Sequence, residues 1–395
     1  MHDLDDPYPA LRALTDNEPV SRVGDSTFWW VANWDLIAEA VARTDDFSSN
    51  LTATMVWKED GTIEEYPIAE LGSPIHVLAT ADDPEHKAHR ALVMPSLVAK
   101  RVRALEPFVD RTLERLWSDG IDGGRLDWMT DVAQRLPMAV VAELLGFPTY
   151  DIDDLVRWSF ATTILLDGVV TSAQLESAGE AAGELMVYLS QAFDSALENP
   201  GENVMGDLAR LVAAGDLDHD TAVMISLQLV AAGAESTVSL LGSAVYLLGR
   251  NPDVVQAIRD DRDLVPVFIE EALRLESPFR GHYRHVVADT TLGDVALPAG
   301  SHLYLMWGAA NRDPANFDRP DEIDLDPAAR RSHMAFGKGL HLCVGAALAR
   351  LEGRVAIDHL LDRTPNGFTV DTSDPDWERS LLVRRLRRLP VQVGA

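Results

Sequence analysis

Apolar residues recur at helical spacing through much of the chain from Pro84 to about Arg250, and the pattern changes character on either side. Pro84 stands where a first helical turn tolerates proline, Asp131 to Leu145 carries a helical stripe, and Asp154 to Ser195 reads as helices around a break at Gly168. A longer helix begins near Asp218 or Asp220, good capping residues, and stops at Gly249-Arg250-Asn251-Pro252. Its roughly 30 residues span about 45 Å. Further helices are predicted over about Leu264–Leu275 and from Cys343 to about Leu361. Before Arg43 a short helix mixes with β-like runs such as Thr27–Ala32, and Phe47 to Asp83 has the irregular pattern of a long functional loop holding Gly61, Pro67, Gly72 and Pro74. After Pro278 come short strands: Tyr283–Val287, a Gly293-Asp294 hairpin, Val295–Leu297 and an edge strand over Leu389–Val393. Asn311 to Ser332 is a polar, Pro- and Asp-rich meander.

This pattern predicts a mainly α protein with small β-sheets, an α+β architecture in one domain over 1–395. The β-rich edge takes about 1–45, 283–305 and 366–395, and the helical body about 84–275 and 343–361. The 395 residues carry a formal charge of −29, which repels phosphate backbones and anionic membranes and excludes nucleic acid as a partner. With 47% hydrophobic residues the chain can build an ordinary core. The single cysteine, Cys343, excludes an internal disulfide and any multi-cysteine metal site. The start, Met-His-Asp-Leu-Asp-Asp-Pro, has no secretory signature, so the expected location is the cytoplasm. Thr221–Gly249 is apolar enough to raise a membrane question. Gln228 and Glu235 near its middle favour a buried core helix and no membrane anchor.

The most informative stretch is Phe336-Gly337-Lys338-Gly339-Leu340-His341-Leu342-Cys343-Val344-Gly345-Ala346-Ala347-Leu348-Ala349-Arg350. Two glycines permit a tight loop, and Cys343 then falls at the start of a helix, where free amides and the helix dipole favour a thiolate. Gly345 would let a flat ligand lie against the helix. Read alone, Cys343 is either such a thiolate ligand or a small buried hydrophobe. A nucleotide-binding reading of the Gly-x-Gly pair fails, because no strand precedes it at the right spacing and no third glycine follows.

This stretch is similar to the haem-binding signature of the cytochrome P-450 monooxygenases, Phe-Gly-x-Gly-x-His-x-Cys-x-Gly-x-x-Leu-Ala-Arg, at every specified position. The resemblance implies the cytochrome P-450 fold, with haem b between the long central helix and the helix that starts at the cysteine, and Cys343 as the axial thiolate and metal ligand. It assigns Phe336, Gly337, His341 and Gly345 to the haem site. Glu271-Ala272-Leu273-Arg274 resembles the family's Glu-x-x-Arg pair, about seventy residues before the cysteine, whose role is structural. His86 and Arg90, four apart on one helix face, resemble the family's propionate clamp, and Arg284 and His341 resemble its other contributors.

Ala231-Ala232-Gly233-Ala234-Glu235-Ser236-Thr237 in the long helix resembles the family's (Ala/Gly)-Gly-x-(Asp/Glu)-Thr motif of oxygen activation, with Ser236 at the threonine position. A glycine inside a helix costs about 1 kcal/mol against alanine and needs a reason. By resemblance Ala232 and Gly233 open a groove for dioxygen, Ser236 is the hydrogen-bond donor on the oxygen side, and Glu235 relays protons. Serine lacks the methyl group that restricts rotation, so Thr237 is expected to share the role. The family's meander arginine is replaced here by Asp324-Leu325-Asp326-Pro327, which leaves Arg330 or Arg331 as the substitute partner of Glu271 and Arg274.

The acid–alcohol pair distinguishes this chain from peroxide-driven members, which resemble fatty-acid peroxygenases and carry Arg-Pro there. The resemblance therefore implies use of O2 and of electrons from a separate ferredoxin and ferredoxin reductase. Lys100, Arg101, Arg103, Arg111, Lys338, Arg350 and Arg354 are either ordinary surface or a basic dock for an acidic ferredoxin. The substrate pocket implied by resemblance draws on Leu51–Leu78, Ser159–Leu185, Leu229, Ala232, Phe279–Tyr283 and Leu381-Leu382, with Arg280 and His282 available to a polar or anionic group. Its apolar content implies a lipophilic small molecule. The expected function is a soluble bacterial haem-thiolate monooxygenase. The alternatives are a haem-thiolate sensor or carrier without turnover, and a helical scaffold with vestigial motifs.

Overall fold

The computed structural model describes residues 4–58, 62–71, 75–329 and 332–394. The chain opens with α1 (Tyr8–Asn17), the strands β1 (Val20–Arg22) and β2 (Phe28–Val31), α2 (Trp34–Ala42) and β3 (Phe47–Ser48). Where the sequence predicts a long loop, the chain instead forms a hairpin of β4 (Ala53–Trp57) and β5 (Ile63–Pro67). The Ala53, Met55 and Tyr283 side chains pack together under it, an alternation that the polar residues of β5 obscure. Gly61, Gly72 and Pro74 lie outside the described residues.

The helical body follows as α3 (Glu85–Val93), α4 (Ala99–Ala104), α5 (Glu106–Gly120), the strand β6 (Arg125–Asp127), α6 (Arg135–Leu145), α7 (Ile152–Ile164), α8 (Ser172–Glu198), α9 (Val204–Ala214), α10 (His219–Arg250), α11 (Pro252–Asp260) and α12 (Val265–Leu275). Pro252, read from sequence as a stop, is also a start, because its missing N–H costs nothing in a first turn. The N-cap of α10 is Asp218, whose carboxylate accepts from the Thr221 amide at 2.8 Å. Its 32 residues run through the body between α6, α7, α8, α12 and α14. From Thr237 to Leu248 every side chain is buried, which explains an apolar run long enough to cross a membrane.

The sheets sit at the edges. The five-stranded one has the order β1-β2-β10-β7-β3, with β7 (His282–Val286) antiparallel to β10 (His302–Leu305), and β8 (Thr290–Leu292) and β9 (Val295–Leu297) form the predicted hairpin between them. A short helix, α13 (Trp307–Ala310), follows β10. After the meander come α14 (Ala346–Arg363), β11 (Phe368–Val370) and β12 (Pro390–Val393). β12 lies between β11 and β6 and is not an edge strand. Pro390 is tolerated as its first residue.

Glu271 and Arg274 on α12 form a bidentate pair at 2.7–2.8 Å. The guanidinium also donates to the carbonyls of Asn311, Pro320 and Glu322 and lies 4.9 Å from the Phe317 ring centroid, while Glu271 accepts from the Asp324 amide at 2.8 Å. The meander backbone itself thus supplies partners for this pair. Arg330 and Arg331 lie outside the described residues.

Candidate active site

Residues 334–345 form the loop that presents Cys343. Gly337 and Gly339 sit at φ +71° and +73°, a backbone region that L side chains rarely adopt, and the Cys343 amide closes the loop on the Phe336 carbonyl at 2.9 Å. The following helix starts at Ala346, so Cys343 precedes its first turn and is not its first residue. Its sulfur is densely surrounded but opens toward a cavity. Burial pushes the thiol up from its ordinary value, opposed by the Gly345 amide, by Arg90 and Arg350, and by the Ala346 amide. This corrects the expectation of a depressed value: the amides are in place, but desolvation outweighs them. A metal cation would displace the proton of such a buried thiol to solvent, its charge replacing the missing solvation of the thiolate.

The cavity has about 1320 Å³ of atom-free space, part of it open to solvent. Cys343, Phe336, Gly337, His341 and Gly345 line it from the loop, and Ala232, Gly233, Ser236 and Thr237 line it from α10. His86 and Arg90 reach it from α3, and Arg284 from β7. The His86 and His341 rings lie 4.1 Å apart, with His86 Nδ1 3.2 Å from Asp83 and His341 Nε2 2.9 Å from Ser49 Oγ. His341 Nδ1 is buried without a partner, and burial followed by the Arg284 charge lowers this ring to about 3. Arg284 is lowered to about 10 by burial and donates to the Tyr283 carbonyl, with no hydrogen-bonded carboxylate among the described residues. An edge of the cavity with the Arg284 guanidinium, the unpartnered His341 Nδ1 and no hydrogen-bonded carboxylate on that guanidinium among the described residues fits the propionates of a haem, and a sulfur on the loop fits its iron. Arg90 donates to the Leu342 carbonyl at 2.8 Å and so also braces the cysteine loop.

On α10 the side chains divide. Ser236 Oγ donates to the Ala232 carbonyl at 2.8 Å and Thr237 Oγ1 to the Gly233 carbonyl at 3.1 Å, which leaves both oxygens able to accept from the cavity. Gly233 has a packing reason as well, since a Cβ there would come within 3.1 Å of Val141 on α6. Glu235 does not line the cavity. It is buried beside Arg385, Nε to Oε1 at 3.0 Å, and accepts from the Thr163 hydroxyl, while Arg385 also holds Glu378 at 3.2 Å. Burial raises Glu235 to about 7 against the opposing pull of Arg385, so the carboxyl exchanges its proton near neutrality. No local pattern marks Arg385, 150 positions away in sequence, as its partner.

Glu352 on α14 was not singled out from sequence, yet it lines the cavity with one carboxylate oxygen buried and unpartnered. The signal was available, because Glu352 falls within the apolar stripe of Leu348, Leu351 and Val355. Burial alone raises it to about 8 from 4.5. Its folded state therefore prefers the neutral acid, and it penalises stability increasingly as pH climbs from 4.5 toward 8. Glu352→Gln should gain about 2–3 kcal/mol on the parent between pH 5 and 7, read from urea midpoints. A pH-independent difference would refute the protonated form.

The remaining expectations divide. Leu78, Leu229, Phe279 and His282 line the cavity, whereas Ser159–Leu185 and Leu381-Leu382 do not. Arg280 turns away to the carbonyls of Leu4 and Val383 and cannot meet a ligand there, because its donors serve segments near the two ends of the chain. Of the basic residues, Arg101 pairs with Asp207, Arg350 with Glu270, and Arg354 with Glu106 and Asp358, and Lys338 lies over Trp34.

Comparison with known proteins gives a consistent set of likenesses. The family model for cytochrome P-450 matches residues 184–376. The chain is 50% identical to Cytochrome P-450 144 of Mycobacterium tuberculosis over 390 residues, 99% of this chain and 89% of that protein. It is 34% identical to the 6-deoxyerythronolide B hydroxylase of Saccharopolyspora erythraea, over 98% of this chain and 95% of that one. A Bacillus megaterium cytochrome P-450 solved in complex with testosterone superposes with a TM-score of 0.85 at 27% identity, covering 99% of this chain and 98% of that one.

Proposed function

The chain belongs to the cytochrome P-450 monooxygenases, and from that membership we propose that it inserts one oxygen atom of O2 into a lipophilic small molecule, with electrons from a separate ferredoxin and its reductase. The observation that carries the reading is one cavity with the Cys343 sulfur on its loop wall and the Ser236 and Thr237 hydroxyls on its α10 wall. Bound there, a haem supplies thiolate-ligated iron that consumes O2, two electrons and two protons per turnover. Cys343, as thiolate, holds it. Arg284 would pair with its carboxylates as the cation, and His341 and His86 would offer ring N–H donors to them, with Arg90 bracing the loop.

Ser236 and Thr237 receive protons on their free lone pairs and pass their own inward, since each hydroxyl can rotate away from its helix carbonyl. Glu235, titrating near neutrality, holds a proton at the carboxyl that Arg385 grips, and Glu378 on the far side of Arg385 leads toward solvent. Delivery from Glu235 requires its carboxyl to leave Arg385. The apolar wall of Leu78, Leu229 and Phe279 excludes water and receives the substrate. The half-neutralised basic surface leaves Lys100, Arg103 and Arg111 as the cations we assign to ferredoxin docking.

Incubation with surrogate ferredoxin, reductase and 18O2 tests the reading: product carrying one labelled oxygen is expected. Ligand binding without product would support the sensor alternative. Ser236→Thr restores the rotational restriction and should leave the fraction of electrons recovered in product equal or higher. A large rise in peroxide release from that variant would contradict the hydroxyl assignment.

A further inference from the structure

Two hydrogen-bond donors on the cavity wall lie outside the residues assigned above to the haem edge and the α10 motif. His282 and Arg284 occupy alternate positions of β7 and both line the cavity, while Tyr283 between them does not. Trp307 Nε1 donates to His282 Nδ1 at 2.7 Å. An indole N–H can only donate, so Nδ1 is the acceptor and the neutral ring carries its proton on Nε2. Burial, then the Arg284 charge, lowers His282 to about 4, so this tautomer persists at neutral pH. Phe279 packs edge-on against the ring with centroids 5.1 Å apart. The Trp307 ring lies on it as well, with centroids 6.0 Å apart, so Phe279 and Trp307 hold the imidazole in place.

The second donor is Gln228 on α10. Its Oε1 accepts from the Ala79 amide at 2.9 Å, which orients the carboxamide and leaves Nε2 without a protein partner among the described residues. That bond also ties α10 to the Leu78–Thr80 turn, where Leu78 is held at φ +42° and reaches the cavity wall. A non-glycine residue in that region costs of order 1–3 kcal/mol and persists where its surroundings enforce it.

We propose that His282 Nε2 and Gln228 Nε2 are substrate-recognition donors, and that the preferred substrate is a lipophile bearing an acceptor oxygen such as a ketone, ester or lactone carbonyl. This rests on the monooxygenase reading of the cavity. A hydrocarbon of the same shape would cover both donors and leave them unpaired, which is how such sites reject the analogue that lacks oxygen.

Spin-state titration of the haem-bound protein with matched pairs tests it, using camphor against camphane and 5α-androstan-3-one against 5α-androstane. The ketone of at least one pair should bind roughly tenfold tighter or more. His282→Phe and Gln228→Leu should each erase most of that preference while leaving hydrocarbon affinity within about threefold. Independently of any ligand, nitrogen NMR of the histidine-labelled protein should show one ring protonated on Nε2 that does not titrate above about pH 5, and Trp307→Phe should release that tautomer. Equal affinities in every pair, or a proton on Nδ1 of His282, overturn the proposal. So does a His282→Phe variant that retains less haem per chain while its haem-bound fraction keeps the ketone preference, since it would assign the donor to a propionate. These readouts need no turnover, so failure of the monooxygenase reading would be seen separately as absent product.

Discussion

Cys343→Ser is expected to abolish the red-shifted Soret band of the reduced carbon monoxide complex and to lower turnover by roughly a thousandfold or more, equivalent to about 4 kcal/mol in the barrier. The substitution is nearly isosteric, and the loop that presents the residue is closed without its sulfur, by the Cys343 amide on the Phe336 carbonyl and by the Arg90 guanidinium on the Leu342 carbonyl. The fold should therefore survive. What changes is the donor atom. A thiol raised by burial would still release its proton to solvent on binding iron, because the sulfur left behind is a soft, strongly donating anion, whereas an alcohol in the same desolvated position stays protonated and neutral. The measurement is a carbon monoxide difference spectrum beside the product assay. A serine variant that keeps the parental red-shifted band and parental turnover would remove the thiolate from the site.

Arg274→Leu is the second large effect, expected to cost about 3–5 kcal/mol of stability because it strands a buried partner. One guanidinium satisfies Glu271 twice and the carbonyls of Asn311, Pro320 and Glu322, and it covers the Phe317 ring. Leucine leaves these acceptors unpaired and frees the meander that leads into the cysteine loop. Arg274→Lys should rescue little, because an ammonium cannot reproduce the planar fork. Chemical unfolding and retained haem per chain are the two measurements. A loss below about 1 kcal/mol with full haem content would show that the meander holds itself.

Much of the site was legible along the chain because its parts are contiguous. The cysteine loop and the α10 segment are short runs in which residue type and spacing act within one turn, so Cys343, His341, Gly233, Ser236 and Thr237 could be named and do line one cavity. The hairpin of β4 and β5 was hidden because Glu64 and Glu65 break the apolar alternation of a solvated strand. Glu352 was hidden in an otherwise apolar stripe, where a carboxylate reads as a surface residue until its burial is known. Arg280 was misread for the converse reason: its charge suggested a ligand, and its backbone partners lie at the far ends of the chain.

By itself the sequence determined the helical architecture, the family, and the cysteine and hydroxyls that line the cavity, since each is written in local periodicity or in a short motif. Only the tertiary structure decided that Glu235 faces Arg385 and not the cavity, that Glu352 is a buried acid, and that Trp307 selects the tautomer of His282. Protonation and hydrogen-bond direction depend on burial and on which distant group arrives within about 3 Å, and neither is a property of neighbouring residues in the chain.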